Sequence, residues 1–299
     1  MQSRREFLKT SALIGAATMG VSAVSNSKLK AASPESAAPA EHMGVLVDST
    51  LCIGCRKCEW ACKGAHGLPQ GDFDSYEDRS VFKKMRRPDD TALTIVNEYK
   101  PNNLGDPDFD VKIQCMHCEH PACVSACIVG ALSKEENGAV IWDTDKCIGC
   151  RYCMVACPFQ VPAFEYQKAL DPKIMKCDFC FDRQKEGKLP ACVEICPVEA
   201  LVFGKRVDLL EEAHRRLKNY PDKYFNHVYG EYEVGGTSWL YIGSENLSGK
   251  VFPKLGTETA PGVTESIQHG LFAYFVPPVA LYALLGGIMY LTKKNEEED

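Results

Sequence analysis

Cys147-Ile148-Gly149-Cys150-Arg151-Tyr152-Cys153-Met154-Val155-Ala156-Cys157-Pro158 places four cysteines within eleven residues and closes on a proline. Three cysteines recurring every third residue let one tight loop offer three thiolates to the corners of a single cubane core. The fourth, a helical turn further on, points away from that loop toward a different core. Gly149, between the first two, leaves the backbone free to wrap closely around an inorganic centre. The same arrangement stands at Cys52-Ile53-Gly54-Cys55-Arg56-Lys57-Cys58 with Cys62, and Asp48-Ser49-Thr50-Leu51 before it aligns in register with Asp143-Thr144-Asp145-Lys146.

Two further groups keep the pattern with longer middle loops: Cys115, Cys118, Cys123 and Cys127, and Cys177, Cys180, Cys192 and Cys196, the last followed by Pro197. The stretch Pro121-Ala122-Cys123-Val124-Ser125-Ala126-Cys127 returns as Pro190-Ala191-Cys192-Val193-Glu194-Ile195-Cys196. The chain therefore reads as an internal duplication with two groups in each half. All 16 cysteines fall into the four groups, none is left over, and the expectation is four [4Fe-4S] clusters.

Both ends carry addresses. Ser3-Arg4-Arg5-Glu6-Phe7-Leu8-Lys9, followed by a weakly apolar stretch from Ser11 to Val24, reads as a twin-arginine signal, with cleavage after Ser25 or near Ala31-Ala32-Ser33. Residues 271 to 291 contain no charge, enough for one transmembrane helix, kinked at Pro277 and Pro278. Lys293 and Lys294 beyond it keep that end cytoplasmic, so the globular part is expected on the periplasmic side of the membrane. With 34 basic and 40 acidic residues and a net charge of -6, the chain lacks the basic field that holds nucleic acid.

Three other uses of the cysteines compete. Eight disulfides suit an even count in an exported protein, but the twin-arginine route carries proteins folded in the reducing cytoplasm. A zinc site takes two separated cysteine pairs and has no use for four cysteines within eleven residues. Haem attachment needs Cys-x-x-Cys-His, which is absent from the sequence. A zinc- or disulfide-stabilised structural subunit is the non-redox alternative. Because every quartet is complete, His66, His117 and His120 are expected around the clusters or at the surface, not as ligands. Arg56, Lys57 and Arg151 are the cations expected to stabilise reduced clusters, although each also suits a solvated surface. Spacing does not pair the groups: the connections 128 to 146 and 158 to 176 are each 19 residues long, so loop closure favours neither neighbour.

The expected architecture is α+β: two ferredoxin-like [4Fe-4S]-binding halves with an insertion, and one C-terminal transmembrane helix. The divisions are a signal region at 1–32, a four-cluster domain at 44–204 with an insertion at 63–114, an extension and tether at 205–262, and the span at 271–291. Within them, the apolar run from Val45 to Val47 opens the folded part. Asn137-Gly138 predicts a hairpin between Ala131 to Ser133 and Ala139 to Trp142, so that strands bracket the third group. A strand is expected over Ala92 to Tyr99, a helix over Val207 to Tyr220 with Leu209, Leu210, Ala213 and Leu217 on one face, and a strand over Trp239 to Ile242. The insertion is expected to cover a cluster or contact a partner.

These motifs, with Gln114-Cys115-Met116-His117-Cys118, Leu189-Pro190-Ala191-Cys192-Val193-Glu194 and His227-Val228-Tyr229-Gly230-Glu231, resemble the four-cluster ferredoxin-type subunits of periplasm-facing respiratory complexes. The nearest resemblance is to the iron–sulfur subunits of hydrogenase-2-type enzymes and of the high-molecular-weight cytochrome complex of sulfate reducers. Formate dehydrogenase beta subunits share the plan more distantly. The resemblance implies that group one pairs with four and group two with three. On that plan Cys52, Cys55, Cys58 and Cys196 hold one cluster, and Cys62, Cys177, Cys180 and Cys192 a second. Cys115, Cys118, Cys123 and Cys157 hold a third, and Cys127, Cys147, Cys150 and Cys153 a fourth. It further implies an electron-transfer subunit with no catalysis of its own. Its partners would be a periplasmic catalytic subunit (a hydrogenase, a molybdopterin enzyme or a multihaem cytochrome c) and an integral membrane quinone-reactive subunit.

Overall fold

A computed structural model of the chain describes residues 41–103, 105–170, 172–262 and 281–289. The chain divides into Met1–Ser36 and Ala37–Asp299, and every described residue lies in the second unit. The expected signal region at 1–32 lies outside the described residues.

In chain order the elements are β1 (Met43–Asp48), α1 (Lys57–Ala65), β2 (Ile95–Tyr99), β3 (Phe109–Ile113), α2 (Ala122–Ser125), β4 (Leu132–Lys134), β5 (Val140–Trp142), α3 (Tyr152–Ala156), β6 (Ala163–Phe164), β7 (Ile174–Met175), α4 (Phe181–Lys185), α5 (Ala191–Glu194), β8 (Leu201–Lys205), α6 (Arg206–Asn219) and β9 (Trp239–Ile242). Short 3-10 turns at Phe73–Glu77 and Arg79–Lys83 lie in the insertion.

The largest sheet runs β8-β1-β9, with β1 antiparallel to β8 and parallel to β9. Side chains alternate across a strand with period two, and each strand here uses both faces. Val45 and Val47, Leu201, and Trp239 and Tyr241 face one core, whereas Leu46, Leu240 and Ile242 face another. Against the second face lies α6, which buries Leu209, Ala213 and Leu217 at helical spacing and ends before Pro221. The first face is the cysteine side, where Cys192 is buried among the same residues as Val45 and Trp239.

The expected hairpin forms as β4 and β5, with Gly138 at φ 86° and the register Lys134↔Val140. It precedes the third cysteine group, and β6 with β7 follows it. In the insertion, β2 starts at Ile95, three residues inside the expected stretch, and pairs with a strand the sequence reading left out, β3. Phe109, Val111 and Ile113 carry the alternation of a strand, but the charges of Asp110 and Lys112 between them read as a solvent face, and both are buried. The stretch read as a tether contributes Leu247 and Phe252, both buried in the main core.

Among the described residues no helix is long and apolar enough to cross a membrane. The span expected at 271–291 lies mostly outside them; residues 281–289 are helical and expose Leu281, Tyr282, Leu284, Leu285 and Met289.

Candidate metal centre

Each cysteine group begins with the same backbone device. The residue two places after the first cysteine is left-handed: Gly54 at φ 65°, His117 at 47°, Gly149 at 69° and Phe179 at 66°. Glycine adopts that conformation without strain, while His117 and Phe179 are held in it by their surroundings. Their rings stack at 4.8 Å, joining the loops of groups two and four. The reversal aims backbone N–H groups at sulfur: Phe179 N–H lies 3.4 Å from Cys177 Sγ, and Gly54 N–H donates to Cys52. Arg56 and Arg151, again left-handed, then open α1 and α3, which carry the third cysteines Cys58 and Cys153. Three residues after Cys127, Cys157 and Cys196 come further left-handed positions, Gly130, Gln160 and Glu199, and Ala131 N–H donates to Cys127 Sγ at 3.2 Å.

Packing of α1 on α5 and of α2 on α3 brings group one to four and group two to three. Cys52, Cys55, Cys58 and Cys196 line one small cavity, and Cys127, Cys147, Cys150 and Cys153 line another. In the remaining sets burial pushes Cys118, Cys123, Cys157, Cys177, Cys180 and Cys192 up, and neighbouring sulfurs add to it. Cys118 is raised by burial and then by Cys115, Cys157 and Cys123, and Cys177 by burial with Cys62 among its neighbours. Cys180, pushed up to about 12 by burial, has Cys192 as its strongest charged neighbour.

Exposure grades across the four sets. Cys62, Cys177, Cys180 and Cys192 are all buried; Cys115 and Cys123 are buried beside half-buried Cys118 and Cys157; Cys52, Cys55, Cys58 and Cys196 are half-buried; and in the last set Cys150 is exposed, Cys127 and Cys147 half-buried and Cys153 buried. Neighbours across sets follow one line: Cys58 senses Cys192, Cys177 senses Cys115, and Cys123 senses Cys153. The two outer sets sit under repeat-related, exposed isoleucines, Ile53 at 53% and Ile148 at 62%.

His117 is fully buried; its Nδ1 accepts from Val140 N–H at 2.8 Å, which leaves Nε2 to carry the proton without a partner. His66 bonds Asp178 at 2.8 Å. With Cys180 these two bring three donor atoms within 4.8 Å of one another, but Cys180 also belongs among Cys62, Cys177 and Cys192, so the trio is the rim of that quartet.

Two of the expected cations line the cysteine cavities, Arg56 that of Cys52, Cys55, Cys58 and Cys196 and Arg151 that of Cys127, Cys147, Cys150 and Cys153. Arg56 pairs with Glu59 at 3.3 Å, Lys57 lies 4.7 Å over the Phe73 ring, and Arg151 lies over Phe164 and Tyr166. Lys112, 2% exposed and not among the cations expected from the sequence, has cysteines of the first two sets as its strongest charged neighbours.

The donor set fits iron–sulfur clusters. Burial pushes Cys52 and Cys123 up to about 12 and Cys153 up to about 11, and their sulfur neighbours push the same way. Thiols raised in this way stay protonated by themselves and give up their protons to a strongly cationic core. Soft sulfur donors in fours, with backbone N–H groups aimed at them, suit [4Fe-4S] cubanes.

Duplicated, cross-packed cysteine loops beside a small sheet define a ferredoxin-like [4Fe-4S] protein. Residues 109–206 match the family model of the 4Fe-4S dicluster domain. The chain is 45% identical over 297 residues to a protein of Nitratidesulfovibrio vulgaris, covering 98% of this chain and 78% of that one. It is 34% identical over 329 residues to the hydrogenase-2 operon protein HybA of Escherichia coli O157:H7, covering 99% and 97%. To the iron-sulfur subunit of the nitrate-inducible formate dehydrogenase of Escherichia coli K12 it is 33% identical over 207 residues, 66% of each chain. The chain belongs to the family of iron–sulfur electron-transfer subunits of respiratory oxidoreductase complexes. It carries [4Fe-4S] clusters and relays electrons within such a complex, without being the catalytic subunit itself.

Proposed function

We propose that the chain holds four [4Fe-4S] clusters in the order Cys52/Cys55/Cys58/Cys196, Cys62/Cys177/Cys180/Cys192, Cys115/Cys118/Cys123/Cys157 and Cys127/Cys147/Cys150/Cys153. The wire so formed joins a periplasmic hydrogenase to a quinone-reactive membrane subunit. The observation that carries this is the grading of exposure: the second quartet is wholly buried and the third half so, while the first has no buried cysteine and the fourth only Cys153. A relay needs its ends near partners and its middle shielded from water. When bound, each cubane takes up and releases one electron. The residues hold the thiolates, aim N–H groups at sulfur and keep solvent from the inner pair.

Placement on the periplasmic side, export through the twin-arginine signal at 1–32 and anchorage by 271–291 belong to the same reading, and the 21 uncharged residues of the span and Arg4-Arg5 support them. The similarity to a formate dehydrogenase subunit favours a second reading, in which the same wire serves a molybdopterin enzyme. Iron and sulfide analysis of anaerobically purified protein tests the clusters: about sixteen irons per chain are expected, four for each cubane. A folded, colourless, iron-free protein ends the proposal. The subunits that co-purify from membranes decide between the catalytic partners.

A further inference from the structure

Lys112 is a buried cation without an acid. Among the described residues no carboxylate pairs with its ammonium, although burying a charge without a partner is among the costliest things a fold does. Its surroundings hold it in one place. Nζ donates to Gln114 Oε1 at 2.7 Å, Gln114 Nε2 donates to the Tyr241 hydroxyl at 2.6 Å, and that hydroxyl donates back to the Lys112 carbonyl at 3.1 Å. The ammonium also lies 4.2 Å over the Trp239 ring. One neutral amide and one ring leave further N–H donors of the ammonium unassigned.

What surrounds it otherwise is cysteine. Lys112 lines the same cavity as Cys52, Cys55, Cys58 and Cys196. Its strongest charged neighbours are Cys192, Cys58, Cys177 and Cys62, drawn from both of the first two quartets. The other lysines near the quartets differ. Lys176 spends its ammonium on the carbonyls of Val140 and Cys177, and Lys134 bonds two carbonyls and stands 3.6 Å from Glu119.

We propose that Lys112 is the shared counter-cation of the first two clusters and raises the reduction potentials of both; this rests on the four-cluster reading above. One-electron reduction adds one negative charge to a cluster, and a fixed positive charge nearby favours the reduced form. One ammonium between two quartets ties their potentials together. A change at Lys112 moves the first pair and leaves the third and fourth clusters in place.

The test is a redox titration of the purified holoprotein followed by electron paramagnetic resonance, with iron counted in every sample. Wild-type iron content checks the four-cluster reading separately. In Lys112→Met with full iron, two of the four potentials are expected to fall by at least tenfold in the reduction equilibrium, 59 mV for one electron. Lys112→Arg is expected to restore most of the shift. Unchanged potentials in an iron-replete Lys112→Met protein overturn the proposal. If Lys112→Met and Lys112→Gln lose iron while Lys112→Arg retains it, the charge is needed to hold the clusters, which supports the counter-cation role. If all three lose iron alike, Lys112 serves packing and the proposal fails.

Discussion

Gly54 and Gly149 occupy the same place in the duplicated motif and the same left-handed conformation, yet their surroundings differ. A Cβ on Gly54 falls 2.4 Å from the buried carboxylate of Asp110, which reaches Arg79 at 3.5 Å, while a Cβ on Gly149 meets nothing closer than Phe164 at 3.6 Å. Alanine at either costs about 1–2 kcal/mol in backbone strain. At Gly54 the displaced Asp110 adds about 1–3 kcal/mol. Gly54→Ala is therefore expected to lower the melting temperature and iron occupancy clearly more than Gly149→Ala, and equal losses contradict the packing described. Cross-ligation is tested by Cys157→Ser. Cys157 stands beside Cys115, although it follows Cys153 in sequence. The substitution is expected to damage the spectrum of one cluster while that of Cys147, Cys150 and Cys153 stays intact; damage to the latter alone refutes the exchange. The cysteines and both glycines were legible because cluster chemistry writes itself as spacing. Lys112 was not, because a lysine between Val111 and Ile113 looks like the solvent face of a strand until the fold buries it.

At the scale of elements, the sheet β8-β1-β9 separates two kinds of interior. Leu46, Leu209, Ala213, Leu217, Leu240 and Ile242 make an ordinary hydrocarbon core with no cysteine in it. Truncating Leu209 to alanine removes contacts there at a cost of about 2–5 kcal/mol. The expected result of Leu209→Ala is a fall in thermal stability with iron content and cluster spectra unchanged, since the clusters lie across the sheet. Loss of iron in step with stability contradicts that separation. The helix and β9 were legible in the sequence from period and bounded apolar runs. Their assembly was not: β9 pairs in parallel with β1 across nearly two hundred residues, and nothing local in Trp239-Leu240-Tyr241-Ile242 names its partner. The short strands β6 and β7, two residues each, carry too little pattern to be read at all.

For the molecule as a whole, the cysteines are part of the interior and not an addition to it. One small core consists of Cys123, Leu132, Val140, Cys153 and Ile174, and another of Cys115, Val161 and Cys177, so each is tied together by residues of the metal centre. In such regions the free energy of cluster binding is folding free energy. Removing iron by oxidation and chelation leaves buried thiols among a small set of apolar side chains, Leu132, Val140 and Ile174 with Val124 and Met154, to hold β4, β5, α2 and α3 together. The half between Cys115 and Cys180 is therefore expected to lose hydrogen-exchange protection early in iron removal. The strands β1 and β9 with α6, joined by hydrocarbon, are expected to keep theirs longest. Measured by mass spectrometry on samples of decreasing iron content, protection falls in that order. A uniform loss across the chain shows instead that the hydrocarbon core has no stability independent of the clusters.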